Sequence, residues 1–275
     1  MRDPYRIEGP AVLSVSGGRS SMMMLHRILG AHGGRLPADV RPIFTNTGKE
    51  REETLAFVRD CGERWGVDIE WAERDPTRPS GLRFRAVTFG TASRNGEPFA
   101  QLTKERRFLP NSRMRFCTQE LKVEVMAGMM RAAGHTRFTN VVGLRHDEAP
   151  RVLKLRARED SKWDVACPLY DAGVTAADVA TFWKAQPFDL ALRPWEGNCD
   201  LCFLKGRGPR MRIMRDRPDL AAWWVDQEHA AGGTFCKHQP GFAANLRQVT
   251  RLPLLPMNLD ADAEHGGCAG ESCTD

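Results

Sequence analysis

The sequence predicts an α/β fold: a doubly wound, mostly parallel sheet followed by a small C-terminal cysteine-bearing module. Three observations predict it. Short apolar runs alternate with stretches of helical spacing through roughly the first 190 residues, a Gly-Gly loop separates the first strand from the first helix, and five of the eight cysteines lie beyond residue 194.

The first element is the run AVLSV at 11–15, a buried strand that ends at Ser16-Gly17-Gly18-Arg19-Ser20-Ser21. Met24, Leu25, Ile28 and Leu29 then recur at the spacing of one helical face. VRPIFTN at 40–46 reads as a second buried strand, and Leu55, Val58 and Trp65 define one face of a helix over about 50–65. DIEWA at 68–72 closes a second strand-helix-strand unit. From about 76 to 116 the composition turns to Arg, Pro, Gly, Asn and Ser without clear periodicity, which predicts an irregular basic insertion lying over a site.

Thr118 is a candidate cap for a helix whose Leu121, Val125 and Met129 share a face, and FTNVVGL at 138–144 is the next strand. A short apolar piece, VACPLY, follows at 165–170. Thr175 introduces a helix to about 185, and DLAAWWVDQEHAA at 219–231 is the last helix the pattern predicts. Strands alternating with helices call for a parallel sheet covered on both faces. The division expected is a nucleotide domain over 1–190 and a cysteine-rich helical module over 191–275.

Bulk properties exclude some classes. A chain of 275 residues with 41% hydrophobic content can bury a core, and 40 Lys and Arg against 35 Asp and Glu give a net charge of +5 that is spread along the chain. This permits an anionic partner, a nucleotide or a nucleic acid, without requiring one. The first ten residues carry no apolar stretch behind a basic segment, and no run of about 18 apolar residues occurs. A cytoplasmic chain without a membrane partner is therefore expected, and a homodimer stays open. The seven histidines show no spacing typical of a mononuclear hydrolytic zinc site.

The loop at 16–21 carries the first functional signal. Glycines between a strand and a helix let the backbone approach an anion, and hydroxyls and free N–H groups at the helix start donate to phosphate oxygens. Arg19 adds a charge suited to a leaving pyrophosphate. An ordinary strand-helix turn is the competing reading. Neither a Gly-Lys-Ser/Thr phosphate loop nor a Gly-x-Gly-x-x-Gly pattern is present here, which argues against those two nucleotide-binding classes.

With these motifs in order, the sequence resembles the PP-loop superfamily, and within it the phosphoadenosine phosphosulfate (PAPS) reductase-like family. The resemblance runs from SVSGGRSS to Pro168-Leu169. It includes Thr45-Asn46-Thr47-Gly48 with Glu53-Thr54, and Gly143-Leu144-Arg145 through Glu148 and Arg151. It implies an adenine nucleotide alpha-hydrolase-like fold, with Thr45, Thr47 and Gly48 at the crevice and Gly143, Arg145 and Arg151 near phosphate or sulfate. Arg19 and Arg145 are the implied catalytic residues, and ATP with magnesium is the implied substrate. A surface ion pair is the plainer reading of Arg151.

Cys199-Asp-Leu-Cys202 turns two thiolates toward one centre, a spacing suited to a metal or an iron–sulfur cluster. Cys117, just before a helix, is a third candidate, because a helix N-terminus favours the thiolate. The resemblance implies a [4Fe-4S] cluster on Cys117, Cys199, Cys202 and a fourth cysteine. Cys236, Cys268 and Cys273 are the candidates for that place, and Cys273 is preferred. Zinc would take the same four sulfurs. Cys61 and Cys167 lie in apolar surroundings and read as core thiols. Glu271-Ser272-Cys273 resembles the mobile Glu-Cys-Gly tail of sulfonucleotide reductases only loosely, since the Gly is missing.

Three functions follow as expectations. The first is adenylation of a substrate with release of pyrophosphate, then sulfur transfer aided by a cluster. The second is reduction of PAPS or its unphosphorylated relative APS. The third is a nucleotide-binding accessory protein with structural zinc.

Overall fold

A computed structural model describes residues 3–157 and 163–251. Six strands form one sheet in the order β4-β3-β2-β1-β5-β6. They are β1 (Ala11–Val15), β2 (Val40–Thr45), β3 (Glu70–Arg74), β4 (Phe84–Val87), β5 (Thr139–Val141) and β6 (Asp164–Ala166). All neighbours pair in parallel except β3 and β4, which run antiparallel. Ala11 at the start of β1 registers with Val40 on one side and Thr139 on the other. The chain therefore builds outward from β1 through β4, returns to its other side, and leaves a topological switch point between β1 and β5.

Alternation along β1 and β2 directs side chains to two different layers. Leu13, Val15 and Phe44 face a core shared with α1 (Arg19–Ala31), α2 (Glu52–Trp65) and α8 (Ala176–Lys184). Val12, Ile43 and Ala72 face Val125, Met126, Met129 and Met130 of α5 (Glu124–Ala132). The sheet is covered on both faces, as the near-continuous apolar strands require. Helix α2 stops where Gly66 adopts φ 61°, and Thr175 caps α8 through a reciprocal pair with Asp178.

The insertion departs from expectation. Residues 76–116 include β4 and α3 (Glu97–Arg106), a helix that buries Phe99 and Leu102. Strand β4 is only four residues long, has exposed Arg85 and Ala86 at its centre, and pairs on one side alone, so it leaves no apolar alternation to read. Thr118 is not a cap. The chain is already helical at α4 (Phe116–Thr118), continues as a π-helical stretch at Gln119–Val123 and enters α5.

Short helices α6 (Ala149–Arg156) and α7 (Pro168–Asp171) flank β6, and α9 (Arg207–Asp216), α10 (Ala221–Ala231) and α11 (Phe242–Arg251) complete the described chain. Their core unites Leu201, Phe203, Met214, Trp224, Phe235 and Phe242 with Phe99, Leu102, Leu109 and Leu121. Packing thus crosses the boundary expected near residue 190. Among the described residues no helix is long and apolar enough to cross a membrane.

Glu228 of α10 is built into this core, where its carboxylate accepts the N–H groups of Phe235 and Phe242 at 3.1 and 2.7 Å. Burial pushes its carboxyl up, against the pull of those two donors, Arg210 and His229. A carboxyl raised on folding binds its proton more tightly in the folded chain. Its stabilising contribution is fully present below the ordinary carboxyl value of about 4.3 and is lost as pH rises through the raised value. Urea titrations from about pH 4 to pH 6 should therefore show a smaller loss of stability in Glu228→Gln than in the parent.

Candidate functional site

The loop after β1 is shaped by two close approaches. Gly17 has φ 78°, and a Cβ there would lie 2.5 Å from Thr54 Cγ2 of α2. A Cβ on Gly143, just past β5, would lie 2.8 Å from Ser21 Cα. Glycine at both places lets β1, α2 and the chain after β5 converge on the start of α1. The loop hydroxyls largely serve the loop itself. Ser16 Oγ donates to Ser21 Oγ at 2.9 Å, Ser21 Oγ donates to the Gly18 carbonyl at 2.9 Å, and Ser20 Oγ accepts from Arg145 Nη1 at 3.2 Å. The groups left to meet an anion are the first-turn N–H groups of α1 at its positive dipole end.

Arg19 stands elsewhere. Its guanidinium holds Asp189 in two bonds of 2.7 and 2.9 Å and the Leu190 carbonyl at 2.6 Å, so it fastens the chain after α8 rather than pointing into the crevice. With Asp189 substantially exposed, Asp189→Ala should cost only about 0.2–1 kcal/mol in thermal unfolding.

The segment after β2 is equally self-contained. Thr47 donates from its N–H and Oγ1 to Glu50 Oε2 at 2.7 and 2.8 Å. Gly48 has φ 79° and lies against Gly96 and Pro98 of the insertion, so it packs against the insertion. Thr45, by contrast, opens onto a recess. Arg145 is buried and spans Ser20, Asp147 at 3.0 Å and Glu148, and Arg151 pairs with Glu148. Arg145 and Arg151 line a larger cleft rather than that recess.

The recess, of about 200 Å³, lies at the carboxyl ends of β1, β2 and β5. Ser14, Ser16, Thr45 and Asn140 at the strand ends and Arg115, Thr118 and Gln119 opposite them supply polar groups, with Val15, Val142 and Met126 as apolar walls. Ser14 Oγ donates to Asn140 Oδ1 at 2.6 Å across the switch point. Lys122, also lining it, places Nζ 3.5 Å from Glu50 Oε1. Ser14, Asn140 and Lys122 were not singled out from sequence. A serine in AVLSV and an asparagine in FTNVVGL, each inside an apolar strand, were the signal available.

The turn at 198–202 straps the two loops together. Asn198 Nδ2 donates to the Ser16 carbonyl at 2.8 Å, its own carbonyl accepts from Arg51 N–H at 2.7 Å, and Cys199 bridges Glu50 in an antiparallel pairing. Lys49 Nζ meets Asp200 Oδ2 at 2.7 Å, with both side chains buried. Cys199 Sγ lies 3.9 Å from Glu50 Oε1. Cys117 sits at the edge of the second core, where burial pushes its thiol up, outweighing Arg115, Lys122 and the bonds at Thr118 that pull it down. The expected lowering at a helix start is outweighed, because the thiol is enclosed.

Among the described residues no group of three or more His, Cys, Asp or Glu side chains could hold a metal. Cys117, Cys199 and Cys202 thus do not form a ligand set by themselves, and Cys268 and Cys273 lie outside the described residues. Cys236 is engaged by Arg210 Nη1 at 3.1 Å. A cluster or zinc ion would need donors from beyond these residues.

A strand, a Gly-Gly loop and a helix thus meet at the switch point of a mostly parallel sheet, the place where open α/β folds receive ligands. Residues 10–189 match the phosphoadenosine phosphosulfate reductase domain, and the chain belongs to that family. It is 28% identical over 200 residues to the "Uncharacterized nin region protein ORF290" of Escherichia phage lambda, covering 70% of this chain and 66% of that one. It is 24% identical over 225 residues to "Uncharacterized protein MJ0066" of Methanocaldococcus jannaschii, covering 80% of this chain and 41% of the other. The match spans just under two thirds of the phage protein and less than half of the archaeal one.

Proposed function

We propose that the protein is an enzyme that binds ATP, carried with magnesium, at the β1/β5 crevice and adenylates an acceptor, with sulfur transfer to the activated acceptor as the second step. The observation that carries this reading is the recess itself, where apolar walls and the polar groups of Ser14, Thr45 and Asn140 suit the base of a nucleotide. Its neighbour, the N-terminus of α1, suits the phosphates.

In the first step an acceptor oxygen bonds to the α-phosphorus as the bond to the bridging oxygen breaks, and pyrophosphate leaves with the electron pair. Arg145, held by Ser20 at the loop and by Asp147, is the cation placed to steady phosphate oxygens. In the second step a hydrosulfide displaces AMP from the acceptor, its sulfur bonding to the activated carbon as the carbon–oxygen bond to AMP breaks. Cys199 and Cys202 motivate this half, because their turn straps the phosphate loop through Asn198.

Pyrophosphate release from ATP, measured with and without candidate acceptors, tests the reading. Sulfite formed from PAPS with a dithiol reductant, and no pyrophosphate from ATP, would replace it with sulfonucleotide reduction. Anaerobic purification with iron and zinc analysis decides the metal. Iron lost on Cys273→Ser or Cys199→Ser would support a cluster, and stoichiometric zinc in a colourless protein without turnover would support the accessory role.

A further inference from the structure

Beside the recess, and sharing Arg115 with it, lies a cleft of about 1490 Å³. Its walls are the 111–115 segment, the residues after Arg145, the chain after Cys202 and the 235–239 segment. Several arginines elsewhere are held by carboxylates, as Arg41, Arg74, Arg85 and Arg94 are by Glu70, Glu105, Glu73 and Glu52. The two acids lining the cleft, Asp147 and Glu148, are already taken by Arg145 and Arg151. Arg113, Arg115, Arg207 and Lys237 also line it, and among the described residues no ion pair engages any of them. Within the described residues Arg207 bonds the neutral amides of Asn245 and Gln248, and Arg115 the Thr118 hydroxyl.

Four uncompensated cations around one concavity focus a positive field on whatever enters it. The cleft is also larger than the roughly 300–1000 Å³ that encloses a small ligand, so a single nucleotide would leave most of it unfilled. We propose that it binds single-stranded nucleic acid, whose phosphodiester chain follows Arg113, Arg207 and Lys237 while one nucleotide reaches Arg115 at the mouth of the recess, beside the ATP that the recess holds. This deepens the proposed function, because it names the acceptor class for the adenylation site. A duplex does not suit the geometry. A reacting group on a base must leave the stack to approach the mouth of the recess where ATP is held, and Met114, 52% exposed on the cleft wall, offers an apolar contact to an unstacked base.

The test is fluorescence anisotropy with labelled oligonucleotides of about 12 nucleotides, as single-stranded DNA, single-stranded RNA and duplex DNA, each titrated with the full chain over a range of salt. Binding of either single strand in preference to duplex is expected, and the tighter arm names the source. Arg113 and Lys237 are exposed, so Arg113→Ala/Lys237→Ala should fold normally and make the slope of log affinity against log salt shallower by about 1.4. No binding at low salt, equal binding of duplex, or affinity and salt slope unchanged in the double variant would each overturn the proposal. Complete displacement of the oligonucleotide by ATP would overturn it too, by showing that the cleft serves the triphosphate alone. Acceptor-free ATP binding, followed separately, tells a failure of this inference from a failure of the nucleotide reading.

Discussion

Asp200→Ala is expected to lower the free energy of unfolding by about 3–5 kcal/mol, the usual result of stripping one partner from a buried ion pair. Asp200 is 4% exposed and Lys49 6%. The carboxylate takes Lys49 Nζ at 2.7 Å on one oxygen, and Trp224 Nε1 at 2.8 Å and Leu201 N–H at 2.7 Å on the other. Removing it leaves an ammonium without its counter-charge, with only the Trp223 ring at 4.8 Å for compensation, and an indole N–H without an acceptor in a fully buried tryptophan. The loss should be largely recovered in Lys49→Met/Asp200→Leu, since replacing a whole buried pair by apolar groups is often neutral. Urea unfolding of the three variants measures this directly. A single-variant loss under about 1 kcal/mol, the range of an exposed pair, would show that water reaches the site.

Much of the nucleotide half was legible because its signals are local. AVLSV before a Gly pair, and Met24, Leu25, Ile28 and Leu29 after it, define a strand, a loop and a helix within one window, and the structure has each of them. Thr175 with Asp178 is local in the same sense. Strand β4 was not legible, because an edge strand of four residues with an exposed middle has no periodic face to display. The partner of Arg19 was not legible for a different reason. Its partner Asp189 lies 170 positions away, and no spacing rule reaches that far. Asn198 is the same case at 182 positions, although its amide orients the carbonyl of Ser16 in the very loop the sequence displayed. Thr47 and Gly48 marked the right neighbourhood but serve as loop scaffolding, for Glu50 and for the insertion respectively. A motif fixes where the chain turns, while its side-chain partners depend on segments that folding alone brings close.

Gly143→Ala should cut nucleotide turnover by about a hundredfold, the scale of a misplacement near 1 Å at a reacting centre. The added methyl would meet Ser21 Cα at 2.8 Å, Ser21 N at 3.0 Å and the Ser20 carbonyl carbon at 3.3 Å. All three are backbone atoms, so no rotamer change relieves the contact, and the start of α1 must move away from the end of β5. That shift would carry with it Ser20, which accepts from Arg145, and the N–H groups facing the anion site. Stability should fall by about 1–3 kcal/mol, as for other overpacked sites, so the variant should remain folded and its turnover measurable. Gly30→Ala is the matched control: it sits in the same helix with open space where the methyl would go, and alanine favours the helix there. Pyrophosphate release and ATP titration of both variants separate the effects. Full ATP affinity and turnover in Gly143→Ala would mean that the N-terminus of α1 does not hold the phosphates, and the nucleotide would then have to be sought against the arginines of the larger cleft.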